Sequence, residues 1–293
     1  MNELLGKVAV VTGGGGGIGR ALGQRFAENG MKVVLADVQA EPLALAVKEL
    51  ESEGAQAIGV VTDVTSQDSV NALRDATLQA FGGVHVVCNN AGIGAGAEGR
   101  MWEHELQDWR WALAVNLHGV IHGINAFVPA MIEAGEEGHI VNTSSGNGGV
   151  SPLSGTPQYA VTKAAVVTLT ECLHAQLLDA GTRIRASVLF PGPHMLRTGI
   201  FESWRSRTAE FAKVRERRTP YTTVEDLEAQ MAAAGIEVAF TDPLHVADQV
   251  LAAVRAEQFW ILPPSESTDL QIQARAASML ARSNPDYLRA VPN

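Results

Sequence analysis

The chain has 293 residues, of which 46% are hydrophobic, so it can bury a sizeable core and is not a disordered chain. Its 22 basic and 32 acidic side chains give a net charge of −10, which argues against binding to nucleic acid or to an anionic membrane. We find no signal-peptide pattern at the start and no apolar run of the roughly 20 residues that a membrane span needs. The two cysteines, Cys88 and Cys172, have no metal-ligand spacing. We therefore expect a reduced, cytoplasmic setting.

Short β-branched apolar runs alternate with amphipathic stretches over the first two thirds of the chain. The runs that we predict as strands are Lys7 to Thr12, Lys32 to Asp37, Gln56 to Thr62, Val84 to Cys88, His139 to Thr143 and Ile184 to Phe190. The stretches between them that read most clearly as helices are Ile18 to Asn29, Glu41 to Glu53 and Ser66 to Phe81. This alternation predicts an α/β fold, a doubly wound parallel sheet flanked by helices.

The alternation stops after Phe190. Residues 193–235 are rich in Arg, Thr, Glu and Pro and show helical patches without a clear strand. We interpret them as a helical insertion over one edge of the sheet, within a single domain that spans residues 1–293. A helix from Asp242 to about Glu257 and a strand from Phe259 to Leu262 follow, and residues 264–293 form a C-terminal extension.

A glycine-rich turn follows the first predicted strand and opens the first helix. It runs Gly13-x-x-x-Gly17-Ile18-Gly19 after Thr12, with a longer first gap than the G-x-G-x-x-G fingerprint. Glycine allows a close approach of the backbone to a diphosphate, and a helix N-terminus offers free N–H groups to that anion. The position between a strand and a helix favours dinucleotide binding over a merely flexible turn.

Asp37 stands at the end of the second predicted strand, 18 residues after Gly19. A carboxylate at this place can accept hydrogen bonds from the ribose hydroxyls of an adenosine, and it would repel a 2′-phosphate. The next two residues, Val38 and Gln39, carry no positive charge. Asp37 therefore predicts NAD rather than NADP as the cofactor.

Further motifs appear in the order in which the short-chain dehydrogenase/reductase family carries them. After the glycine-rich turn come Asp63-Val64, Asn89-Asn90-Ala91-Gly92, Asn116, Ser144-Ser145, Tyr159-x-x-x-Lys163 and Pro191-Gly192. The chain resembles this family over about residues 5 to 193. The resemblance implies a Rossmann-type sheet, a nicotinamide cofactor and an alcohol–ketone interconversion.

Tyr159 and Lys163 are four residues apart on a predicted helix, so they share one face. A nearby ammonium is expected to lower the pKa of the phenol and thereby suit it to general acid–base catalysis. The resemblance implies that Tyr159 takes the hydroxyl proton, that Lys163 also holds the nicotinamide ribose, and that Ser145 holds the substrate oxygen. Ser144 remains an alternative, since Ser145 precedes Tyr159 by 14 residues where the family often has about 13.

The resemblance implies further roles around the cofactor. Asn116 would hold a water near Lys163, or else would satisfy buried backbone. Asp63 and Val64 would border the adenine. Asn90 would line the cleft or hold a turn, and Pro191-Gly192 would precede the substrate loop. Thr198, two residues beyond the position where the family usually has a cofactor-binding Thr, is a candidate for that contact, and Leu196 stands at the usual position.

Three other patterns favour structural roles. His118 and His122 have a spacing that can bind zinc, but no third ligand is visible in the sequence nearby, so no metal site is predicted. The basic residues Arg205, Arg207, Arg215, Arg217 and Arg218 alternate with acids and are typical of a solvated face, with an anionic substrate group as the alternative. We expect Trp102, Trp109 and Trp111 to pack between subunits, because the helix that follows them builds a dimer interface in the family.

The insertion is apolar and aromatic, with Met195, Leu196, Ile200, Phe201, Trp204, Phe211 and Tyr221. We therefore expect it to cover a hydrophobic secondary alcohol, either aromatic or alicyclic, with Ile93 to Glu103 as the opposite wall. Part of the chain also resembles the Cα-dehydrogenases of lignin-derived aryl ethers. A non-catalytic dinucleotide sensor and an epimerase or dehydratase on the same fold stay open as alternatives. The family implies a homotetramer or a homodimer.

Overall fold

The computed structural model describes residues 1–95, 99–216 and 221–289. In chain order, its strands are β1 (Val8–Thr12), β2 (Lys32–Asp37), β3 (Ala57–Val61), β4 (Val86–Asn89), β5 (Gly138–Thr143), β6 (Ile184–Leu189), β7 (Met195–Leu196), β8 (Phe240–Thr241) and β9 (Trp260–Ile261). Seven of them form one parallel sheet in the spatial order β3-β2-β1-β4-β5-β6-β9. This order reverses direction between β1 and β4, which is the switch point where a doubly wound sheet binds its ligands.

Helices cover both faces of the sheet. In chain order they are α1 (Gly17–Glu28), α2 (Ala40–Ser52), α3 (Gln67–Phe81), α4 (Leu106–Leu113), α5 (Gly119–Ala134), α6 (Pro157–Asp179), α7 (Val224–Ala233), α8 (Pro243–Ala256) and α9 (Glu266–Ala281). Because successive strand residues point to opposite faces, β1 sends Ala9 and Val11 toward α1, α2 and α8. It sends Val8 and Val10 toward α3, α5 and α6. The predicted doubly wound α/β fold is thereby confirmed.

The segment after β6 differs from its prediction in one respect, because it contains a strand. The two residues Met195 and Leu196 pair in parallel with Phe240 and Thr241, so that β7 and β8 form a separate ribbon. Two residues are too few to show a period-2 pattern in the sequence. Two short 3₁₀ segments, Gly199–Ser206 and Ala209–Phe211, and helix α7 follow β7.

The run Leu106–Ala134 forms a helical stretch of 29 residues, although no apolar run of membrane-spanning length was predicted. It joins α4 to α5 through a π-helical turn at Ala114–His118, and its length and composition would suffice to cross a membrane. Within the fold, however, α5 lies against β4 and α3, and α4 lies against α6. Phe127 and Met131 are buried in the core on that side of the sheet. We therefore interpret the run as a core helix.

Parts of three predicted segments lie outside the described residues. They are residues 96–98 of the predicted opposite wall, residues 217–220 of the insertion, which include Arg217 and Arg218, and residues 290–293 of the C-terminal extension.

Candidate active site

A cleft of about 850 Å³ opens where β1, β2, β4 and β5 end. Its lining includes most of the site residues predicted from the sequence: Gly13, Gly17, Ile18, Asp37, Asp63, Val64, Asn90, Ser145, Tyr159, Lys163, Pro191 and Thr198. The predicted residues that lie behind its wall are Gly19, Asn116 and Gly192. The structure thus brings together groups that are up to 185 positions apart, between Gly13 and Thr198.

The glycine-rich turn is shaped by two positive φ angles and one close backbone approach. Gly13 has φ +69° and Gly17 has φ +50°, both in the region that favours glycine. A Cβ on Gly19 would lie 2.0 Å from the carbonyl oxygen of Gly13, so the helix start cannot carry a side chain there. Gly17 and Ile18 open α1 toward the cleft. This is the geometry of an anion site at a helix N-terminus.

Thr12 ties this turn to the end of β4. Its buried hydroxyl donates to the carbonyl oxygen of Cys88 at 3.3 Å and accepts the N–H groups of Asn90 at 3.0 Å and of Ala91 at 3.1 Å. The Asn90 amide in turn donates to the Thr12 carbonyl oxygen at 3.0 Å. Asn90 therefore holds the two strand ends together while it also lines the cleft.

Asp37 lies directly beside the glycine-rich turn. Its carboxylate accepts the N–H of Gly15 at 3.0 Å and the N–H of Gln39 at 2.9 Å, one on each oxygen. Each oxygen keeps lone-pair capacity for a further donor, which suits a pair of ribose hydroxyls. These groups fit the adenosine half of a dinucleotide.

Asp63 and Val64 lie at the same end of the sheet, after β3. Asp63 accepts the N–H of Thr65 at 2.9 Å and its hydroxyl at 2.7 Å, so its carboxylate fixes the local turn. The Val64 carbonyl oxygen is held at 2.8 Å by the Nδ1 of His122. His122 thus has a role in the wall of the cleft, a contact that the i,i+4 spacing to His118 did not indicate. Within the described residues, no group of three His, Cys, Asp or Glu side chains could hold a metal ion.

Thr198 reaches the glycine-rich turn from the opposite side. A Cβ on Gly17 would lie 2.9 Å from the Thr198 Cγ2, so the two residues are almost in contact. Leu196, which stands at the usual family position, is part of β7 and also lines the cleft. Pro191 lines the cleft just after β6, and Gly192 behind it has φ +154°.

The two serines after β5 have different surroundings. The Ser144 hydroxyl is buried and donates to the Lys163 carbonyl oxygen at 2.7 Å. The Ser145 side chain lies in the cleft wall beside Tyr159, whose pKa it lowers, and its hydroxyl oxygen accepts the N–H of Asn147 at 3.2 Å. Of the two hydroxyls, that of Ser145 is therefore the one placed beside Tyr159.

Tyr159 and Lys163 lie one turn apart on α6, with the Lys163 Nζ 5.7 Å from the centre of the tyrosine ring. The pKa of Tyr159 is raised because its surroundings are desolvated, and the hydrogen bond with Ser145 works in the opposite direction. Burial lowers the pKa of Lys163 to about 8, and its Nζ donates to the Thr143 carbonyl oxygen at 2.8 Å.

Desolvation thus raises the pKa of Tyr159 in this structure, and the lowering of that pKa by Lys163 stays a prediction. Burial also lowers the pKa of Lys163, so its ammonium form is less favoured than in water.

Asn116 is completely buried in the π-helical turn. Its Oδ1 accepts the Ile93 N–H at 2.8 Å, and its Nδ2 donates to the Ile93 carbonyl oxygen at 3.0 Å and to the Thr162 hydroxyl at 3.3 Å. A Cβ on Gly92 would lie 3.4 Å from both the Asn116 Oδ1 and the Lys163 Nζ, so Asn116 and Lys163 flank the same backbone. The observed contacts are those of a residue that fixes a loop.

The far half of the cleft is lined mainly by apolar residues, with charged groups such as Asp108, Arg207 and Lys213 among them. All seven apolar residues predicted in the insertion line it, and Ile93, Val115 and Trp111 lie opposite. Trp111 is buried and packs with Ile93 and Phe211, so its prediction as a subunit contact is wrong. Trp102, by contrast, is 81% exposed.

Among the described basic residues of the insertion, Arg205, Arg207 and Arg215 do not share one solvated face. The Arg207 guanidinium stacks on Trp111 at 4.9 Å and donates to the Asp108 carboxylate at 2.8 Å. The side chains of Arg207 and Asp108 are 12% and 10% exposed, so this pair is largely buried. Arg205, by contrast, is more exposed and pairs with Glu202. Nothing in the sequence indicated the Asp108–Arg207 pair, because its partners are 99 positions apart.

Comparison with known proteins assigns the family. Residues 7–209, more than half of the chain, match the model of the short chain dehydrogenase family. The chain is 39% identical to the 1-deoxy-11-beta-hydroxypentalenate dehydrogenase of Streptomyces avermitilis, over 63% of this chain and 67% of that protein. It is 37% identical to the 2,5-dichloro-2,5-cyclohexadiene-1,4-diol dehydrogenase LinX of Sphingobium indicum, over 64% of this chain and 73% of that protein.

Two solved structures cover almost the whole chain. A short-chain dehydrogenase/reductase from Burkholderia phymatum in complex with NAD has a TM-score of 0.87 and 38% identity, over 97% of this chain and 98% of that one. The apo form of LigO from Sphingobium sp. strain SYK-6 has a TM-score of 0.74 and 31% identity, over 99% and 95%. The chain belongs to the short-chain dehydrogenase/reductase family of oxidoreductases, as the order of its sequence motifs predicts.

Proposed function

We propose that this protein is an NAD-dependent dehydrogenase that interconverts a hydrophobic secondary alcohol and its ketone. The observation that carries the proposal is the convergence of Ser145, Tyr159 and Lys163 in the wall of the cleft, with the Lys163 Nζ 5.7 Å from the centre of the tyrosine ring. A hydroxyl that holds the substrate oxygen and a phenol that exchanges its proton are the two groups that this reaction requires.

NAD is the cofactor that fits the near half of the cleft. Gly13, Gly17 and the N-terminus of α1 would hold the diphosphate, with Thr198 closing over it. Asp37 would accept the ribose hydroxyls and repel a 2′-phosphate. When bound there, NAD supplies the hydride acceptor. The similar structure from Burkholderia phymatum contains NAD.

The catalytic steps fall to three side chains. Ser145 orients the substrate oxygen, and Tyr159 takes the hydroxyl proton during oxidation and returns it during reduction. Lys163, held by the Thr143 carbonyl oxygen, binds the nicotinamide ribose and favours the phenolate when it is charged. Asn116 fixes the backbone at Ile93 and keeps one Oδ1 lone pair through which a water near Lys163 could be held.

The substrate class follows from the far half of the cleft. Its aromatic and aliphatic walls suit an alicyclic or aromatic skeleton. The relatives from Streptomyces avermitilis and Sphingobium indicum are named for ring alcohols, which supports the alicyclic choice. We expect a homotetramer or homodimer in the cytoplasm, and light scattering of the purified protein would test the assembly.

The test is NADH formation from NAD at mildly alkaline pH with a panel of cyclic and aryl secondary alcohols. Wild type and Tyr159→Phe are compared, and NADP serves as the cofactor control. We expect turnover by wild type with NAD and a loss of at least a hundredfold in the variant, since general acid–base catalysis contributes 10²–10⁴-fold. NADH affinity should be retained.

Turnover that persists in Tyr159→Phe would refute the role of the tyrosine. NADH binding without turnover of any alcohol in the panel would favour the sensor instead. Turnover that leaves no net change in the cofactor would favour an epimerase or a dehydratase.

A further inference from the structure

The loop that follows Ser145 contains one tight turn that is packed directly against the catalytic helix. Residues 146–150 form an irregular π-type turn in which Gly148 has φ +101° and ψ −53°. A Cβ on Gly148 would lie 2.1 Å from the carbonyl oxygen of Ala160, the residue after Tyr159. The loop and the helix that carry the two reacting hydroxyls are thus in contact at backbone distance.

The Asn147 side chain holds this loop through hydrogen bonds to residues further along it. Its Nδ2 donates to the Thr156 hydroxyl at 2.8 Å, and its Oδ1 accepts the Leu153 N–H at 2.9 Å. Its own N–H donates to the Ser145 hydroxyl oxygen at 3.2 Å. A serine hydroxyl has one hydrogen and two acceptor positions, so this contact occupies one acceptor position and leaves the hydrogen for another partner. Tyr159, which lies beside Ser145 in the cleft wall, is a neighbour toward which that hydrogen can point.

The outer side of the loop is held by the C-terminal helix α9. The Arg275 Nη1 donates to the Val150 carbonyl oxygen at 2.7 Å, and α9 lies against the loop. Val150 is buried in a small core with Val167, Val188 and Phe190. Helix α9 itself has no buried residue, so this charged hydrogen bond is a main anchor of the helix on the body of the protein.

We propose that Arg275 and Asn147 are positioning residues, which hold the 146–150 turn so that the Ser145 hydroxyl donates its hydrogen toward Tyr159 and the substrate oxygen. The inference rests on the proposed dehydrogenase function and deepens it. It assigns a role in catalysis to the C-terminal extension, which lies more than 100 residues beyond the catalytic motifs. It also explains how the chain accommodates a spacing of 14 positions from Ser145 to Tyr159, because the π-type turn takes up the extra length.

The test compares Arg275→Met and Asn147→Ala with wild type. Arg275→Met keeps the aliphatic length but removes the donors to Val150. Arg275→Lys is the conservative variant that restores a cationic donor. Arg183→Met is the matched control, because it removes an exposed arginine that pairs with Glu137 at the opposite end of the sheet.

We expect kcat to fall about tenfold in Arg275→Met and in Asn147→Ala, since a misplacement of about 1 Å can cost about 100-fold and a smaller shift costs less. The pH profile of kcat/KM should shift to higher pH, because the Ser145 hydrogen bond that lowers the pKa of Tyr159 is weakened. NADH affinity should stay unchanged. Arg275→Lys should recover most of kcat, and Arg183→Met should match wild type.

Hydrogen–deuterium exchange adds a measurement that needs no substrate. In Arg275→Met, the amides of residues 146–156 should exchange faster, while those of β6 should not change. A kcat within twofold of wild type together with an unshifted pH profile would overturn the proposal. A parallel loss of NADH affinity and thermal stability would also overturn it. If wild type itself oxidises no alcohol, the proposed function fails, whereas unchanged exchange at residues 146–156 defeats the inference alone.

Discussion

The hydroxyl of Thr12 joins two strand ends at the point where the cleft opens, and its removal gives a testable loss of stability. Thr12→Val keeps the shape of the side chain but removes one donor and one acceptor group. Three hydrogen bonds are lost, those to the Cys88 carbonyl oxygen and from the N–H groups of Asn90 and Ala91. At about 1 kcal/mol for each bond, the cost is roughly 3 kcal/mol.

The added methyl group offsets about 0.8 kcal/mol of this loss, as expected for one buried carbon. The net loss is therefore about 2 kcal/mol, which corresponds to a fall of about 3 °C in the unfolding midpoint for a domain of this size. NADH affinity should fall as well, because the Asn90 turn lines the cleft.

Thr12→Ser is the matched control. It keeps all three hydrogen bonds and loses one methyl group, at a cost of about 0.8 kcal/mol. Differential scanning calorimetry gives the two unfolding midpoints, and isothermal titration gives the two NADH affinities. A valine variant that is as stable as the serine variant, with equal NADH affinity, would refute the assignment of Thr12 as the link between β1 and β4.

Two further perturbations test separate features of the molecule. In Asp37→Ala, the ratio of kcat/KM for NAD over NADP should fall at least tenfold, because the carboxylate beside Gly15 no longer repels a 2′-phosphate; an unchanged ratio would show that another group selects the cofactor. His139 is fully buried, and burial lowers its pKa from 6.5 to about 4. As pH falls from about 6.5 to 4, the unfolded chain therefore binds a proton at this residue that the native protein does not bind. Stability should therefore drop across this window, by about 2 kcal/mol for this residue between pH 7 and pH 5, and His139→Gln should flatten that part of a urea-unfolding pH series. If the stability of His139→Gln falls equally steeply with decreasing pH, groups other than His139 cause the loss.

The sheet was predictable from the sequence because each strand carries its own local signal. β1 and β2 are buried on both faces, and their continuous apolar runs indicate this burial in the sequence. The glycine-rich turn was predictable for the same reason, since a positive φ at Gly13 and the close approach at Gly19 demand glycine whatever lies elsewhere in the chain.

The substrate half of the cleft was predictable only in composition. Its residues were identified as apolar, but the contacts that shape it join distant parts of the chain, as in the Asp108–Arg207 pair on Trp111. A charged residue in such a pair looks the same in the sequence as one on a solvated face. The roles of Trp111 and Arg207 were therefore assigned wrongly, although both residues had been singled out.

The same limit applies to the pKa of Tyr159. The sequence shows that Lys163 follows one turn later, and the charge of a lysine suggests a lowered pKa. The structure adds the desolvation of both groups, which raises the pKa of the phenol and lowers that of the ammonium to about 8. Desolvation depends on what packs around α6, and no residue spacing encodes it.

If the proposed mechanism holds, burial of Tyr159 and Lys163 makes the contribution of Ser145 to the pKa of the phenol more important. When both Tyr159 and Lys163 are driven toward their neutral forms, the hydrogen bond from Ser145 is the contact in the described structure that lowers the pKa of the phenol. Its strength depends on the direction of one hydroxyl hydrogen, and hydrogen bonds weaken steeply when they are misaligned. Under the proposed mechanism, Asn147 within the loop and Arg275 behind it would set this direction and so bear on the proton transfer. Under the two proposals, the acidity of Tyr159 would depend on the packing of a turn and a C-terminal helix as well as on the neighbouring lysine.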